Sequence, residues 1–358
     1  MGLVTILIAV LAFGFMILIH ELGHFLTARA FKINVYEFSL GMGPRLAWYD
    51  SKKTGIRYKI CMFPIGGYVN FGKEGSDDSA PSDDPRDMVN QKPWVRLLVM
   101  VAGGVLNIVL GFVLSLIVCA GSSLGSTVVA EFPPALAVDG SSITAEAGLM
   151  AGDEIVSIGG ARVHTDLELD YEIMRRGVEP VEVIVLRDTN KDGVKEQVPL
   201  ILTFPTETSS GQIVGTRDFL VYAARKNVGS VISHSFFRTV CMVKMAWQSL
   251  WDLATGRYSA EAVSGPVGIT TTMGEAASYG LLPLLYLISM ISTNLGVVNL
   301  LPIPALDGGR AVFVLIEMIT RKRVPPTIEA RIHGAGILLL LGLMVLVTVT
   351  DIRNIFGR

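Results

Sequence analysis

Four long apolar segments constrain this chain more than any other feature of its sequence. They cover roughly residues 3–28, 96–120, 280–302 and 334–350. A helix of about 17 to 25 apolar residues crosses the hydrocarbon core of a bilayer, so each segment is long enough to span a membrane. The composition agrees, because 17% of the residues are charged, against about 25% in soluble globular proteins. We therefore predict a polytopic α-helical membrane protein with four transmembrane segments.

Basic residues are distributed unequally between the loops that join these segments. Eleven Lys and Arg residues occur at 29–96 and five more lie between the third and fourth segments, whereas residues 121–140 and 261–280 contain none. Cytoplasmic loops are enriched in Lys and Arg, so the loops before the second and fourth segments are predicted to be cytoplasmic. Residues 121–279 and both termini are then extracytoplasmic. The net charge of −2 gives no indication of a nucleic-acid partner, and three isolated cysteines predict neither a disulfide framework nor a thiolate metal site.

Two histidines and a glutamate interrupt the first apolar segment. His20 and His24 are four residues apart, so on a helix they lie on one face, where both imidazoles can bind one zinc ion. Glu21 can take a proton from a water that the metal activates, as in other H-E-x-x-H proteins. The same pattern arises by chance in soluble helices, where the histidines are simply solvated. A charged side chain in a bilayer costs about 3 kcal/mol, so the apolar surroundings favour a functional metal site.

A zinc ion that performs chemistry takes three protein ligands and keeps another position open. We predict Asp307 as the third ligand, because it lies between two apolar runs, where a free carboxylate needs a partner. The first and third segments run in the same direction, so His20–His24 and Asp307 are expected at similar depth near the cytoplasmic side. Pro302 and Pro304 exclude a regular helix there, and such backbone is tolerated at membrane depth only where protein or a cavity covers it. The remaining histidines are expected at surfaces or interfaces: His164, His234 and His333.

A soluble module is predicted in the extracytoplasmic region, over residues 121–207. The stretch TAEAGLMAGDEIVSIGGARV at 144–163 is followed by a short helix pattern and by VEVIVLRD, which alternates like a strand. It resembles the PDZ domains of membrane and periplasmic proteases, which add a peptide strand to an open sheet edge. A generic β-rich domain is the alternative. Residues 208–279 are expected to form a linker with an amphipathic helix at about 235–255, which either lies on the membrane surface or packs on the outer domain.

The chain resembles the site-2 protease family of intramembrane zinc metalloproteases, of the bacterial regulator-of-sigma-E protease type. The motifs that carry the resemblance extend over nearly the whole chain: H-E-x-x-H in the first segment, FPIGGYVNF at 63–71, the PDZ-like stretch, SGPVGI at 264–269 and N-x-x-P-x-x-x-L-D-G-G at 299–309. Two features depart from the family pattern. One PDZ-like module is predicted, where some relatives carry two. The family's A-G-P-x-x-N reads AGGVLN at 102–107, with Gly104 in the place of proline.

The resemblance implies an architecture for the membrane part. Residues 1–120 would form a first membrane half, with a cytoplasmic, membrane-reentrant β-hairpin region at 34–92. Residues 280–358 would form a second half, in which the third segment and its motif extend to about 319. Within the hairpin region, the segment 56–71 turns at two glycines, and its edge could pair with an unwound substrate strand.

The resemblance also implies roles for individual residues. His20, His24 and Asp307 would hold one Zn²⁺, and Glu21 would be the general base. Three asparagines match family asparagines and would bind substrate: Asn299, Asn294 and Asn107. Asn299 is the better candidate of the three. An Asn amide offers both a donor and an acceptor to the backbone of an unwound peptide. Hydrogen bonding between helices is the alternative role for these asparagines.

The expected function is regulated intramembrane proteolysis in the cell inner membrane, with the active site toward the cytoplasm. The substrates would be single-span membrane proteins, such as anti-sigma factors or signal-peptide remnants, that were already cut on their extracytoplasmic side. The PDZ-like module would bind a peptide or the tail of the substrate. Two other functions compete with this one. The chain could transport a divalent metal through an intramembrane ion path, or act as a catalytically inactive adaptor that binds partners through its PDZ-like module.

Overall fold

The computed structural model describes residues 2–72, 82–136, 141–189, 193–209, 212–256 and 265–356. Ser264 of the SGPVGI motif and parts of the predicted linker lie outside the described residues. The helices are α1 (Leu3–Ala30), α2 (Pro93–Gly121), α3 (Ile143–Glu146), α4 (Asp166–Arg176), α5 (Val228–Ala254), α6 (Pro266–Tyr279), α7 (Leu281–Asn299), α8 (Asp307–Thr320) and α9 (Pro326–Phe356). The strands are β1 (Glu37–Asp50), β2 (Arg57–Asn70), β3 (Gly125–Glu131), β4 (Glu154–Ile158), β5 (Ala161–Arg162), β6 (Val181–Arg187), β7 (Glu196–Leu202), β8 (Thr206–Ser209), β9 (Gln212–Gly215) and β10 (Leu220–Ala223).

The four apolar helices that the sequence predicts are present. By length and composition, α1, α2, α7 and α9 could each cross a membrane. Two boundaries differ from the prediction. Helix α9 begins at Pro326 rather than near residue 334, because its first turns are polar and hydropathy detects only the apolar remainder. The third segment ends at Asn299, and Asp307 opens a separate helix instead of continuing the segment to 319.

Two compact units make up the chain, residues 1–114 with 243–358 and residues 115–242. In the first unit, α1 packs on α6 and α7 through a core that includes Ala9, Met16 and Met273. The helix α6 lies within the region predicted as a linker. Its N-terminus is capped from α9, since the carboxylate of Asp351 accepts from the backbone N–H of Gly265 at 3.1 Å and of Gly268 at 2.9 Å.

The β-strands of the first unit pair in an unusual register. Residues 37–40 of β1 pair in parallel with 57–60 of β2 and in the antiparallel direction with 67–70 of the same strand, so that Phe38 has both Tyr58 and Val69 as partners. Residues 47–50 pair with 57–60 as well. The positive φ of 84° at Gly66 bends β2 between its two paired parts. This arrangement brings 67–70 beside α1, where the polar residues of the first segment lie.

The second unit is an α+β unit with its own core. Its sheet has the order β10-β3-β4-β6-β7, and β5 pairs with β4. The core residues include Val129, Ile155, Val183 and Phe219. The unit extends past the predicted limit of residue 207, because β10 pairs with β3 and fully buried Asp218 accepts hydrogen bonds from Ser142 and Thr144.

The helix α5 covers the stretch predicted to be amphipathic at 235–255 and begins earlier, at Val228. Large apolar side chains are exposed along it at helical spacing: Ile232, Phe236, Val240, Trp247 and Trp251.

Candidate metal centre

The helix α1 brings the two predicted histidines together. One turn separates His20 from His24, so the rings are stacked edge to face with centroids 4.9 Å apart, and their Nε2 atoms lie 3.3 Å apart. His24 is buried, with a relative exposure of 8%. Both Nε2 atoms point to the same place beside the helix.

Asp307 reaches that place from the other end of the chain. Its Oδ2 atom lies 3.0 Å from Nε2 of His20 and 3.2 Å from Nε2 of His24. Pro302 and Pro304 prevent a helix between α7 and α8, and Asp307 is the first residue after this irregular turn. The turn therefore places the carboxylate at the start of α8, beside the histidine pair.

The second ring nitrogen of each histidine also has a neighbour. Nδ1 of His24 lies 2.7 Å from the carbonyl oxygen of Val99. A carbonyl only accepts, so Nδ1 carries the hydrogen and Nε2 presents its lone pair to Asp307. Nδ1 of His20 lies 3.3 Å from the side-chain amide of Asn107, whose Oδ1 has no partner among the described residues. Since the two amide atoms are interchangeable by a flip, Oδ1 can accept from His20 in the same way.

A glycine of α2 makes room for the histidine pair. A Cβ atom at Gly103 would lie 2.8 Å from Cε1 of His20 and would also overlap Nε2 of His24. Any larger residue at this position would therefore displace the rings. The neighbouring Gly104, which replaces the family proline, lies in a continuous helix, where a Cβ atom would lie 2.8 Å from Cγ of Leu300 on the α7 side.

The three converging atoms fit a zinc ion. Four ligands at about 2.0–2.1 Å from a tetrahedral centre lie about 3.3 Å from one another, and the measured separations are 3.0, 3.2 and 3.3 Å. Among the residues that the structure describes, the buried Oδ2 atom of Asp307 has no hydrogen-bond partner. One carboxylate oxygen facing two imidazole lone pairs is unfavourable unless a cation lies between them. Two imidazoles and one carboxylate are also a ligand set of catalytic zinc sites.

Glu21 lies next to these predicted ligands. It is buried, with a relative exposure of 9%, and its Cγ atom is close to strand β2, since a Cβ atom at Gly67 would lie 2.8 Å away. Glu21 lines the same cavity as the three ligands. An acidic side chain, the three ligand atoms and the 67–70 part of β2 therefore meet at one site.

A cavity of about 270 Å³ opens beside the predicted ligands. Arg96 of α2 and Glu317 of α8 lie in its wall and form an ion pair of 2.5 Å, with side chains 5% and 19% exposed. Such a pair ties the helix that follows Asp307 to α2. Water and a peptide can enter a site only through a space of this kind when the surroundings are apolar.

The remaining predicted site residues lie elsewhere on α7. Asn294 and Asn299 are half-buried, and among the described residues neither lines the cavity. Five residues correspond to about 140° of rotation along a helix, so their side chains point in different directions. Asn107 is the asparagine that contacts a predicted metal ligand.

Sequence reasoning missed His333. It was expected at a surface or interface, but it is 9% exposed and lines the cavity. His164 and His234 belong to the second unit. Neither the isolated position of His333 nor its basic flank in the sequence gives a signal of this burial, which tertiary packing alone creates.

Comparisons with known proteins agree on one family. The family model of peptidase family M50 matches residues 8–343. A relative from Clostridium acetobutylicum, named as a candidate zinc metalloprotease, is 36% identical over 352 residues, which is 98% of both chains. Relatives with the same designation occur in Clostridium perfringens, at 36% identity over 97% of this chain and 98% of the relative, and in Fusobacterium nucleatum, at 31% over 99% and 100%. The matched range 8–343 contains the histidine pair and Asp307.

Proposed function

Because the chain belongs to peptidase family M50, we propose that it cleaves membrane-spanning proteins at the site that His20, Glu21, His24 and Asp307 form. Membership in this family makes it a zinc-dependent metalloendopeptidase and an integral membrane protein. The observation that carries the assignment of the site is the convergence of two imidazole nitrogens and one carboxylate oxygen next to a buried glutamate.

His20, His24 and Asp307 would hold the zinc ion through Nε2, Nε2 and Oδ2. When bound, the ion supplies Lewis acidity, which polarises the scissile carbonyl and lowers the pKa of water. The carbonyl of Val99 and the amide of Asn107 orient the two imidazoles, so that the lone pairs point into the site. The contact with His20 supports this role for Asn107 over substrate binding.

Glu21 acts as the general base. Its carboxylate accepts the proton of the attacking water and then passes it to the nitrogen of the leaving amine. Burial beside strand β2 keeps the carboxylate next to the reacting bond and excludes bulk water. The geometry that supports this role is the shared cavity of Glu21 and the three ligands.

The substrate is a transmembrane helix that unwinds before cleavage. Its carbonyl and N–H groups are bonded internally while it is helical, so the freed groups need new partners in a site with little water. The 67–70 part of β2 lies beside Glu21 and can pair with the unwound strand. Asn299 and Asn294 offer side-chain amides on α7, and their divergent directions allow only one of them to face a given peptide.

The second unit acts as the PDZ-like part of the protein. It would bind the tail of a substrate already cut on the extracytoplasmic side, or exclude substrates that still carry a large outer domain. The distribution of basic residues supports an extracytoplasmic position for this unit and a cytoplasmic side for the metal site in the inner membrane. The apolar side of α5 would lie on the membrane surface.

The experiment that tests the site compares two variants of the purified protein in detergent. Glu21→Gln is expected to bind zinc as the wild type does and to lose cleavage of a model transmembrane substrate, because glutamine has the same shape but accepts no proton. His24→Ala is expected to lose both zinc and cleavage. Cleavage by Glu21→Gln would remove this residue from the mechanism.

The same preparations distinguish the competing functions. If the protein were a divalent-metal transporter, the wild type would move zinc across the membrane of proteoliposomes. Neither the wild type nor Glu21→Gln would then cut a peptide bond. A catalytically inactive adaptor would show no cleavage in the wild type. The buried glutamate beside the ligands supports hydrolysis over both alternatives, since neither of them needs a proton acceptor at that position.

A further inference from the structure

The turn that precedes Asp307 contains a strained residue. Ala305 has a φ of 79°, in the left-handed region that residues other than glycine rarely adopt. Two bonds inside the turn support it, from Ile303 N–H to Leu301 O at 2.7 Å and from Leu306 N–H to Ile303 O at 3.2 Å. A strained conformation persists only where its surroundings hold it in place.

His333 of α9 provides such a support. The backbone N–H of Ala305 donates to Nδ1 of His333 at 2.9 Å. The ring of Phe313 lies edge-on against the imidazole, with centroids 5.6 Å apart. Helix α9 also lies directly on the turn, because a Cβ atom at Gly336 would be 2.7 Å from the backbone carbon of Pro304.

The hydrogen bond fixes the role of each nitrogen in the ring. Ala305 donates, so Nδ1 must be an acceptor and the neutral ring carries its hydrogen on Nε2. Nε2 has no partner among the described residues, and the ring lines the cavity beside the metal ligands. An unpartnered nitrogen in a buried imidazole costs free energy. The ring nevertheless keeps the orientation in which Nδ1 accepts from the turn and Nε2 stays unpartnered, so the contact with the turn is the one that its position favours.

We propose that His333 is a positioning residue that holds Asp307 in place by fixing the turn at Ala305. The inference rests on the proposed function, in which Asp307 binds zinc. Ala305 and Asp307 are two residues apart, so a relaxed turn moves the carboxylate. Metal–ligand distances tolerate deviations of only about 0.2 Å. The acceptor on α9 therefore controls zinc affinity although it does not touch the ion.

Two substitutions of His333 separate its two nitrogens. In His333→Asn, the Oδ1 atom takes the position of Nδ1 and still accepts from Ala305. In His333→Gln, the amide reaches the position of Nε2 and the acceptor for Ala305 is lost. Dissociation constants for Zn²⁺ are measured on full-length protein in detergent with a competing chelator. We expect the Asn variant to match the wild type and the Gln variant to bind zinc about tenfold to 100-fold more weakly.

A rescue experiment distinguishes this role from simple packing. Glycine adopts a positive φ without steric cost, so adding Ala305→Gly to His333→Gln should restore zinc affinity by about fivefold or more. Loss of packing around the imidazole would not be repaired by a change in the turn. If His333→Gln does not fold, Ala305→Val serves instead: its branched side chain raises the strain in the turn and should weaken zinc binding.

Wild-type zinc affinity in His333→Gln or in Ala305→Val would exclude the turn as a determinant. Equal losses in the Asn and Gln variants without rescue by Ala305→Gly would assign His333 to packing. Asp307→Ala tests the premise separately. If it keeps zinc, the proposed metal site fails; if it loses zinc while His333→Gln does not, only the role of His333 fails.

Discussion

Each imidazole of the candidate metal centre is oriented through its second ring nitrogen. His24 donates to the carbonyl of Val99 at 2.7 Å, and His20 has Asn107 at 3.3 Å. Outer partners of this kind fix the tautomer and the direction of the lone pair. For His24 the partner is backbone and cannot be changed by mutation, whereas for His20 it is a side chain.

Replacement of Asn107 tests this orientation. Asn107→Leu has a similar volume but no acceptor for His20, so we expect zinc affinity to fall by about tenfold to 100-fold. Asn107→Asp keeps an acceptor and should bind zinc as the wild type does. The measurement is a chelator competition on purified protein, with Ser115→Ala on the same helix as the control.

A different result would return Asn107 to substrate binding. In that case the leucine variant would keep its zinc affinity and would raise KM for a transmembrane substrate. The two readouts are independent, so the experiment decides between an asparagine that holds a ligand and one that holds the peptide.

Single residues of the site differ in how far sequence could predict them. The grouping of His20, His24 and Asp307 follows from helical spacing and from the cost of lone polar groups in lipid, although their roles stay predictions. Gly103 and His333 had no such signal. Gly103 matters only because α2 passes the histidine pair at that point, and the partner of His333 is a backbone N–H 28 residues away.

At the scale of elements, a tertiary contact replaces a local helix cap. The N-cap residue of α6, Gly265, has no side chain, and the carboxylate of Asp351 accepts from the N–H groups of Gly265 and Gly268 instead. An anion at this end of a helix is favourable because the unpaired N–H groups and the helix dipole point toward it. The cap joins α6 to the far end of α9.

Removal of this cap should lower stability. We expect Asp351→Ala to reduce the free energy of unfolding by about 1–2 kcal/mol, because two N–H groups lose their acceptor. Asp351→Asn keeps one oxygen and should be intermediate. Thermal unfolding in detergent gives the order, with exposed Val349→Ala as the control. An unchanged midpoint in the alanine variant would show that α6 does not depend on this contact.

The elements that sequence missed depend on distant partners. Helix α6 contains three threonines in a row and reads as only weakly apolar, yet it packs on α1 in the structure. Strand β10 pairs with β3 across about ninety residues of chain, so no local pattern could place it. The long apolar helices, by contrast, are set by composition alone, which is why their existence was predictable and their exact ends were not.

At the scale of the whole molecule, the segment 125–223, which makes up most of the second unit, begins and ends at one place. The N–H of Ala224 donates to the carbonyl of Leu124 at 2.7 Å, so the two ends of the segment 125–223 meet. All three predicted ligands belong to the first unit, residues 1–114 with 243–358. The segment can therefore be exchanged for a short connection without separating the ligands.

A deletion variant tests whether the metal site is independent of the second unit and how this unit acts on substrates. Replacing residues 125–223 by a short Gly/Ser linker should leave zinc affinity unchanged. If the unit excludes large substrates, the variant should cut a substrate that keeps its outer domain, which the wild type leaves intact. If the unit binds the new tail of a trimmed substrate, cleavage of that trimmed substrate should fall instead.

Zinc affinity and cleavage are followed on the same preparation. Loss of zinc by the deletion variant would contradict the independence of the metal centre from the second unit. The wild type and Glu21→Gln serve as the positive and negative controls for cleavage.

The cavity beside the three predicted ligands would also determine how water is supplied to the reaction. Hydrolysis consumes one water molecule for every peptide bond, and the surrounding hydrocarbon provides almost none. The cavity measures about 270 Å³, and a molecule of liquid water occupies about 30 Å³, so several can be stored at once. Arg96, Glu317 and Glu329 line the cavity, and their charged groups can form hydrogen bonds with this water.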